Sequence, residues 1–298
     1  MFLSRRGYIP SAASVQCTAL TGGYQNQVFR LRGTFGDWVV KRFRASDDVT
    51  LFPNSAAMEA RALALLGPLQ LAPRLVDFIE DAEAGEILIY EFYDGQSWPG
   101  GTAGLPATAN DTEWDVRPVA GLLRRLHNIS AGGFRTVPTA PREILAQGAT
   151  FLPGVARRAD LEKICPAAID VPPLVTCCLL HTDVGPGNLI LGSAGLRLID
   201  WQCPALGDPA EDLCAFLSPA FQILYGCQPL SETQRAAFLD AYGDEATSRR
   251  LYVLEPFFHW RMAAYCAMRR HRYIDTRPQA AAAYDRAFVA LTDILRRL

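Results

Sequence analysis

The chain has 298 residues, half of them hydrophobic and a fifth charged, with a formal net charge of −2. That length allows a substantial core and two lobes, and the charge balance lacks the basic excess that marks a nucleic-acid binder. No apolar run approaches the roughly 20 residues of a transmembrane helix, and the eight cysteines, without any CxxC spacing, fit a reducing compartment better than a disulfide framework. Ser4-Arg5-Arg6 is followed by G-Y-I-P-S-A-A-S rather than an apolar segment, so the start reads as an ordinary N-terminus and not as a twin-arginine signal. The expected setting is the cytoplasm, with no membrane or nucleic-acid partner and with oligomeric state left open.

From Val15 to about Phe92 the pattern is strand-rich. T-G-G-Y-Q-N-Q-V-F-R-L reads as a strand, a turn at Gly22-Gly23 and a returning strand beyond Asn26. Backbone amides of such a turn can approach phosphate oxygens with no Cβ in the way. G-D-W-V-V-K-R-F is the next strand, and alternation places Lys41 on one face with Val39 and Phe43. Of the 29 basic residues 27 are Arg, and only Lys41 and Lys163 are Lys. A lysine kept in such a chain marks a place for a compact ammonium rather than a planar fork. Asn54-Ser55 caps a helix running M-E-A-R-A-L-A-L-L, which carries Glu59. Glycine turn, strand Lys and helix Glu follow in the order of a kinase nucleotide site, with Glu59 holding Lys41 toward phosphates. The run E-I-L-I-Y-E-F-Y-D-G, residues 86–95, reads as the last strand and a hinge. Kinase-like nucleotide sites hold adenine at such a hinge mainly through backbone groups, and a resemblance to them would give Glu91 and Phe92 that role by position. Residues 95–112, rich in Gly, Pro, Thr and Ala, read as a loop.

Beyond the loop the chain turns helical. V-A-G-L-L-R-R-L-H-N-I has helix-period apolar residues, and its His127 reads as a structural contact. P-R-E-I-L and A-R-R-A-D-L-E-K-I are shorter helices. The chemical centre is H-T-D-V-G-P-G-N-L-I-L-G-S-A-G-L-R-L-I-D, residues 181–200. Two apolar runs around Gly192-Ser193-Ala194-Gly195 predict a hairpin in which Leu191 faces Leu196. That register sets Asn188 opposite Ile199 and beside Asp200, where facing residues lie about 5 Å apart. An amide oxygen and a carboxylate are hard ligands that suit Mg²⁺. Asp183, five residues before Asn188, opens a Gly-Pro-Gly loop that cannot be helical. An Asp to orient a hydroxyl, an Asn five residues on and an Asp for the metal are the parts of a kinase-type phosphoryl-transfer site. The plain alternative is a surface hairpin whose Asp and Asn only make turns. Asp208-Pro209-Ala210-Glu211 then carries helix-start signals, and from Ser231 the chain reads as three helices. Leu251 to Met268 is apolar nearly all round, so Phe257, Phe258, Trp260 and Tyr265 read as core rather than as a cage for an ammonium ligand.

H-T-D-V-G-P-G-N, then L-I-D-W-Q and G-D-P-A-E-D-L, resembles the aminoglycoside phosphotransferase and choline kinase group, whose usual pattern is H-G-D-L-H-P-G-N, I-D-W-E and G-D-P-x-x-D-L. Gly22-Gly23-x-x-Asn26 is similar to the choline-kinase-like form of the nucleotide loop. The resemblance implies an α+β protein-kinase-like fold of two lobes, with a small antiparallel-sheet nucleotide-binding lobe over 1–93 and a mostly helical lobe over 94–298. It also implies ATP and Mg²⁺ as cofactors, Asp183 as the catalytic residue, Asn188 and Asp200 as metal ligands, and a small hydroxylated acceptor. The family counterpart of Asp212 braces the catalytic loop. Three departures stand out: Thr182 replaces a Gly, Gly185 a His and Gln202 a Glu, the last two beside the expected acceptor. Only seven residues separate Asp200 from Asp208 and no A-P-E follows, which leaves no room for the activation loop of a protein kinase. A catalytically idle nucleotide-binding module is the alternative, although such modules typically lack the base or a metal ligand. A metal-dependent hydrolase built on His181, Asp183 and Asp200 lacks a further ligand at suitable spacing.

Overall fold

A computed structural model describes residues 2–10, 14–20, 26–44, 49–98 and 114–298. In chain order the elements are α1 (Phe2–Arg5), β1 (Gln16–Ala19), β2 (Gln27–Gly33), β3 (Gly36–Arg42), α2 (Ala56–Leu66), β4 (Leu75–Asp81), β5 (Gly85–Glu91) and β6 (Gly95–Ser97). There follow α3 (Arg117–His127), β7 (Arg135–Thr136), α4 (Pro141–Ala149), α5 (Arg158–Lys163), β8 (Cys178–Leu180), a 3-10 turn (Pro186–Asn188), β9 (Leu189–Gly192), β10 (Gly195–Leu198) and β11 (Ala205–Gly207). The chain ends in α6 (Pro209–Leu217), α7 (Pro219–Leu224), α8 (Glu232–Tyr242), α9 (Glu245–Tyr273) and α10 (Pro278–Leu295). Two compact units result. The first comprises 1–48, 52–104 and 189–204, and the second 49–51, 105–188 and 205–298.

The first unit is built on a five-stranded antiparallel sheet in the order β1-β2-β3-β5-β4. One face buries Leu31, Val40, Ile79, Ile87 and Ile89, with Trp38 and Tyr8 packed against them. The two-residue pleat therefore sends Val39 and Lys41 to the other face. Helix α2 packs against β4 and β5 and buries Glu59 together with Ala60, Leu63 and Leu66. Its start is set by Ser55, whose side chain accepts a hydrogen bond from the Met58 N–H, a cap typically worth about 1 kcal/mol.

The hairpin of β9 and β10 has the register read from sequence: Leu196 faces Leu191, and pairing continues to Leu198 and Leu189. The ladder ends there, because Asn188 already belongs to the 3-10 turn. The division expected at residues 93 and 94 differs from the observed units, which put 94–104 and this hairpin with the first and 49–51 with the second. β6 pairs with β9, the Trp98 N–H donates to the Leu189 carbonyl (2.8 Å), and the Leu198 N–H donates to the Leu71 carbonyl (3.0 Å). These backbone bonds tie 189–204 to the first unit. β6 itself was read as loop. Its strand character comes from pairing with β9, which approaches so closely that a Cβ at Gly95 would lie 2.6 Å from the Leu191 carbonyl oxygen.

The second unit is mostly helical, with one small sheet in the order β7-β11-β8. Helix α9 is its axis, packed by α4, α5, α6 and α10. Phe257, Phe258, Trp260 and Tyr265 are each about 3% exposed, which is core packing as expected. Close approach of α4 depends on Gly148, where an added Cβ would stand 2.7 Å from the Trp260 ring. Between α6 and α9 the Arg261 Nη2 group donates to Glu211 Oε1 at 2.6 Å, and both side chains are nearly inaccessible. Burial pushes the Glu211 carboxyl up, and the Arg261 guanidinium opposes that shift. Removing one member of such a pair strands the other charge. Arg261→Ala is expected to cost on the order of 3–5 kcal/mol, and joint replacement of Arg261 and Glu211 by Leu far less. Urea denaturation of both variants checks this; equal costs would mean that packing, not charge, dominates there.

Candidate functional site

In the first unit the chemistry gathers on Lys41. Its side chain is 4% exposed, and the ammonium donates to Glu59 Oε2 (2.6 Å) from α2 and to Asp200 Oδ1 just beyond β10. Burial alone would push the ammonium's pKa down, but the carboxylates of Asp200 and Glu59 outweigh it and hold the group above its ordinary value. Burial pushes the Glu59 carboxyl up to about 7 even though Lys41 opposes the shift. Two carboxylates thus share one ammonium, an environment that favours additional positive charge. Asp200 is the member that reaches solvent, with a third of its side chain exposed, and its backbone is left-handed at φ 61°. Asp is among the few residues that visit that region readily.

Other expected nucleotide contacts are differently engaged. Gly22 and Gly23 lie outside the described residues. Asn26 forms a reciprocal amide pair with Asn54: Asn26 Nδ2 donates to Asn54 Oδ1 and Asn54 Nδ2 to Asn26 Oδ1, both at 2.8 Å. The Arg44 N–H also donates to Asn26 Oδ1 (3.3 Å), so this side chain ties the approach to β2 to the segment entering α2. Gln202, read as an acceptor-side departure, joins the same group. Its Oε1 accepts from Asn26 Nδ2 (3.4 Å) and its carbonyl from the Ser55 N–H (3.1 Å). At the expected hinge, the Glu91 N–H donates to the Arg74 carbonyl (2.9 Å) and the Phe92 N–H to the Asp37 carbonyl (2.8 Å). Both donors are spent inside the protein. The Phe92 ring is capped by the Arg30 guanidinium at 3.6 Å, itself paired with Asp37.

In the second unit β8 delivers His181, Thr182 and Asp183. Asp212, fully buried in the first turn of α6, accepts the His181 N–H at 2.8 Å and the Thr182 N–H at 2.7 Å. His127 Nε2 lies 3.2 Å from the same carboxylate, and His127 Nδ1 lies 2.9 Å from the Tyr242 hydroxyl. His127 is therefore structural, as read. α6 is fixed in turn by Asp208, which caps it at the Ala210 N–H (3.0 Å) and is held by Arg250. Asn188 directs its Nδ2 to the Asp183 carbonyl (2.9 Å), Asp183 Oδ2 (3.2 Å) and the Tyr225 hydroxyl (2.9 Å). That leaves its amide oxygen turned away from Asp183, the orientation a hard cation requires. An amide oxygen here and, in the first unit, the Asp200 carboxylate are each hard oxygen donors of the kind Mg²⁺ takes.

Tyr225 is the residue that sequence reasoning missed. It follows α7, 42 residues from Asp183, and its hydroxyl lies 3.3–3.4 Å from both Asp183 carboxylate oxygens. The one signal was indirect: glycine at 185, whose missing side chain, like that of Gly187, leaves the space that the Tyr225 ring fills.

Among the described residues one cluster elsewhere has metal-ligand composition: Cys214, Glu255 and His259, with ligand atoms within 4.8 Å of one another. Arg235 holds both Glu255 oxygens at 2.9 and 2.8 Å. A guanidinium there already supplies the positive charge and disfavours a second cation.

Thr182 stands where the resembling pattern has Gly, and its φ of 69° explains that preference. A left-handed backbone costs an L-residue roughly 1–2 kcal/mol, and the bond from its N–H to Asp212 holds Thr182 in place regardless. Thr182→Gly should leave stability unchanged or raise it by up to about 1 kcal/mol, since relief of strain exceeds the added chain entropy. Thermal melts check this; a clear loss would mean that the threonine side chain outweighs the strain.

A model of the Phosphotransferase enzyme family matches residues 16–253. A viomycin phosphotransferase from Streptomyces vinaceus is 28% identical over 117 residues, 38% of this chain and 37% of the relative; the match spans little more than a third of that protein's length. Among solved structures, a spectinomycin phosphotransferase in complex with ADP and spectinomycin superposes with a TM-score of 0.63 at 14% identity, covering 96% of this chain and 94% of the other. A choline/ethanolamine kinase family protein from Mesorhizobium loti gives 0.62 at 16% identity, covering 99% and 100%. An aminoglycoside phosphotransferase in complex with AMP-PNP and hygromycin B gives 0.64 at 16% identity, covering 97% and 98%. The fold is the α+β, protein-kinase-like fold of these enzymes, and with four-fifths of its length matched the chain belongs to the phosphotransferase enzyme family.

Proposed function

We propose that the protein transfers the γ-phosphoryl group of ATP, with Mg²⁺, to a hydroxyl of a small molecule. The observation that carries this reading is the buried Lys41 ammonium held by Glu59 and Asp200, a cationic point suited to nucleotide phosphates beside a carboxylate suited to a metal. Asp183 orients the acceptor hydroxyl and takes its proton. The acceptor oxygen forms a bond to the γ-phosphorus, the bond to the β–γ bridging oxygen breaks, and ADP leaves. Asn188 and Asp200 would hold Mg²⁺, which would supply neutralisation of charge on the transferring group. Because the Glu91 and Phe92 N–H groups are spent, a donor to the adenine comes from beyond Phe92. The ADP and AMP-PNP bound by the structural neighbours support a nucleotide donor, and their spectinomycin and hygromycin B support a small-molecule acceptor.

The idle-module alternative loses support because Lys41, Asp183, Asn188 and Asp200 are all retained. No helix among the described residues is long and apolar enough to cross a membrane. A cytoplasmic setting is supported by the eight cysteines, none of them in a disulfide. A screen of hydroxylated metabolites for acceptor-dependent ADP formation tests the reading, and the absence of any nucleotide-dependent transfer would overturn it.

Two variants test the named roles. Asp183→Ala should lower turnover by about 10²–10⁴-fold while ATP affinity, measured by calorimetry, stays near wild type. Near-normal turnover would remove Asp183 from the reaction. Lys41→Arg should be almost as damaging as Lys41→Ala despite its conserved charge. A planar guanidinium cannot occupy the compact place between Glu59 and Asp200, and displacement of a phosphate by an ångström can cost about 10²-fold. Values of kcat/KM for ATP in both variants, with melts to confirm folding, decide it; an Arg variant with most of its activity would make Lys41 structural.

A further inference from the structure

The catalytic loop of this chain is closed by a residue from outside it. Tyr225 is the C-cap of α7, fixed by a run of turns: its N–H donates to the Phe221 carbonyl, that of Gly226 to Ile223 and that of Cys227 to Gln222, at 3.2, 3.0 and 2.8 Å. Gly226, at φ 78°, supplies the left-handed step that ends the helix. The ring then lies over Gly185 and Gly187, so closely that a Cβ at either position would collide with it. Its hydroxyl accepts from Asn188 Nδ2 and faces both oxygens of the Asp183 carboxylate. About 37% of Tyr225 remains exposed, so the ring forms the outer wall of this loop.

We propose that Tyr225 is a positioning residue that links Asp183 to Asn188 and shields Asp183 from water, so that phosphoryl transfer is directed to the acceptor. This inference rests on the kinase reading above. Two physical effects support it. The phenol accepts one Nδ2 hydrogen of Asn188, which keeps the amide nitrogen toward Asp183 and the amide oxygen toward a cation. The ring also covers one side of a carboxylate that is otherwise able to activate water. In the uncoupled reaction, water oxygen bonds to the γ-phosphorus, the bond to the β–γ bridging oxygen breaks, and Asp183 takes the water proton, giving ADP and inorganic phosphate. The glycines at 185 and 187 are then required by the ring, and the residue choice at 185 is explained by a partner on another element.

The test uses the full chain and the variants Tyr225→Phe, Tyr225→Ala, Gly185→Ala and the double variant Gly185→Ala/Tyr225→Ala. Three quantities are measured: unfolding by urea, acceptor-independent phosphate release from MgATP, and the apparent Mg²⁺ requirement. Tyr225→Ala and Gly185→Ala should each raise phosphate release relative to acceptor phosphorylation by about tenfold, and the double variant should be no worse than the poorer single one, since both remove one contact. Tyr225→Phe keeps the ring and should leave phosphate release low while raising the Mg²⁺ concentration needed for half-maximal rate. Additive effects in the double variant, or wild-type partition and Mg²⁺ dependence in every active variant, would overturn the role of Tyr225 and leave the kinase reading intact. A wild-type protein that transfers phosphate to neither acceptor nor water, though folded, would overturn the kinase reading and this inference with it.

Discussion

An ammonium removed from water must be met by negative charge, and in the first unit three elements converge to meet it. β3 alternates so that Lys41 leaves the apolar face occupied by Val40. α2, started by Ser55 and packed on β4 and β5, brings Glu59 to the same side. The β9–β10 hairpin, bonded to β6 and to Leu71, brings Asp200. A charge buried without partners costs several kcal/mol, so none of these placements is independent of the others. With two carboxylates sharing one ammonium, the cluster keeps a surplus of negative charge, which favours a further cation there.

The second unit solves a related problem with the charge reversed. Asp212 is fully buried and takes its compensation from the backbone: two successive N–H groups of the loop that leads to Asp183, with His127 closing the set. A carboxylate held in this way fixes the loop's conformation more firmly than an exposed pair could, because its bonds are charge-assisted and dry. Rigidity passes to Asp183 through the chain itself. The left-handed backbone at Thr182 persists because these bonds over-determine it.

The three departures from the resembling pattern each acquire a local cause. Thr182 keeps a glycine's backbone while carrying a side chain. Gly185 makes room for Tyr225. Gln202 supplies an acceptor to Asn26 through its side chain and a carbonyl to Ser55 through its backbone, which makes it part of the scaffold around α2. Thr182 and Gln202 therefore bear on the frame around β8 and α2, and Gly185 admits a ring from the end of α7.

Sequence by itself determined those features whose cause is local. Hairpin register followed from two apolar runs around a four-residue turn; helix starts at Ser55 and Asp208 followed from capping residues; the buried α9 followed from apolar residues on every face. Lys41, Glu59 and the closer set Asp183, Asn188 and Asp200 stood out because strand alternation, a capped helix and a hairpin after a Gly-Pro-Gly loop are local patterns. Tertiary structure alone decided the rest. β6 is a strand only because β9 offers it backbone partners, and 189–204 joins the first unit for the same reason. Asn26 turned out to be paired with Asn54, and the Glu91 and Phe92 donors to be spent, because backbone and amide satisfaction is settled across strands rather than along the chain. Tyr225 could not be found from its neighbours in sequence, since nothing near it encodes Asp183; only the fold brings a phenol 42 residues away onto two glycines.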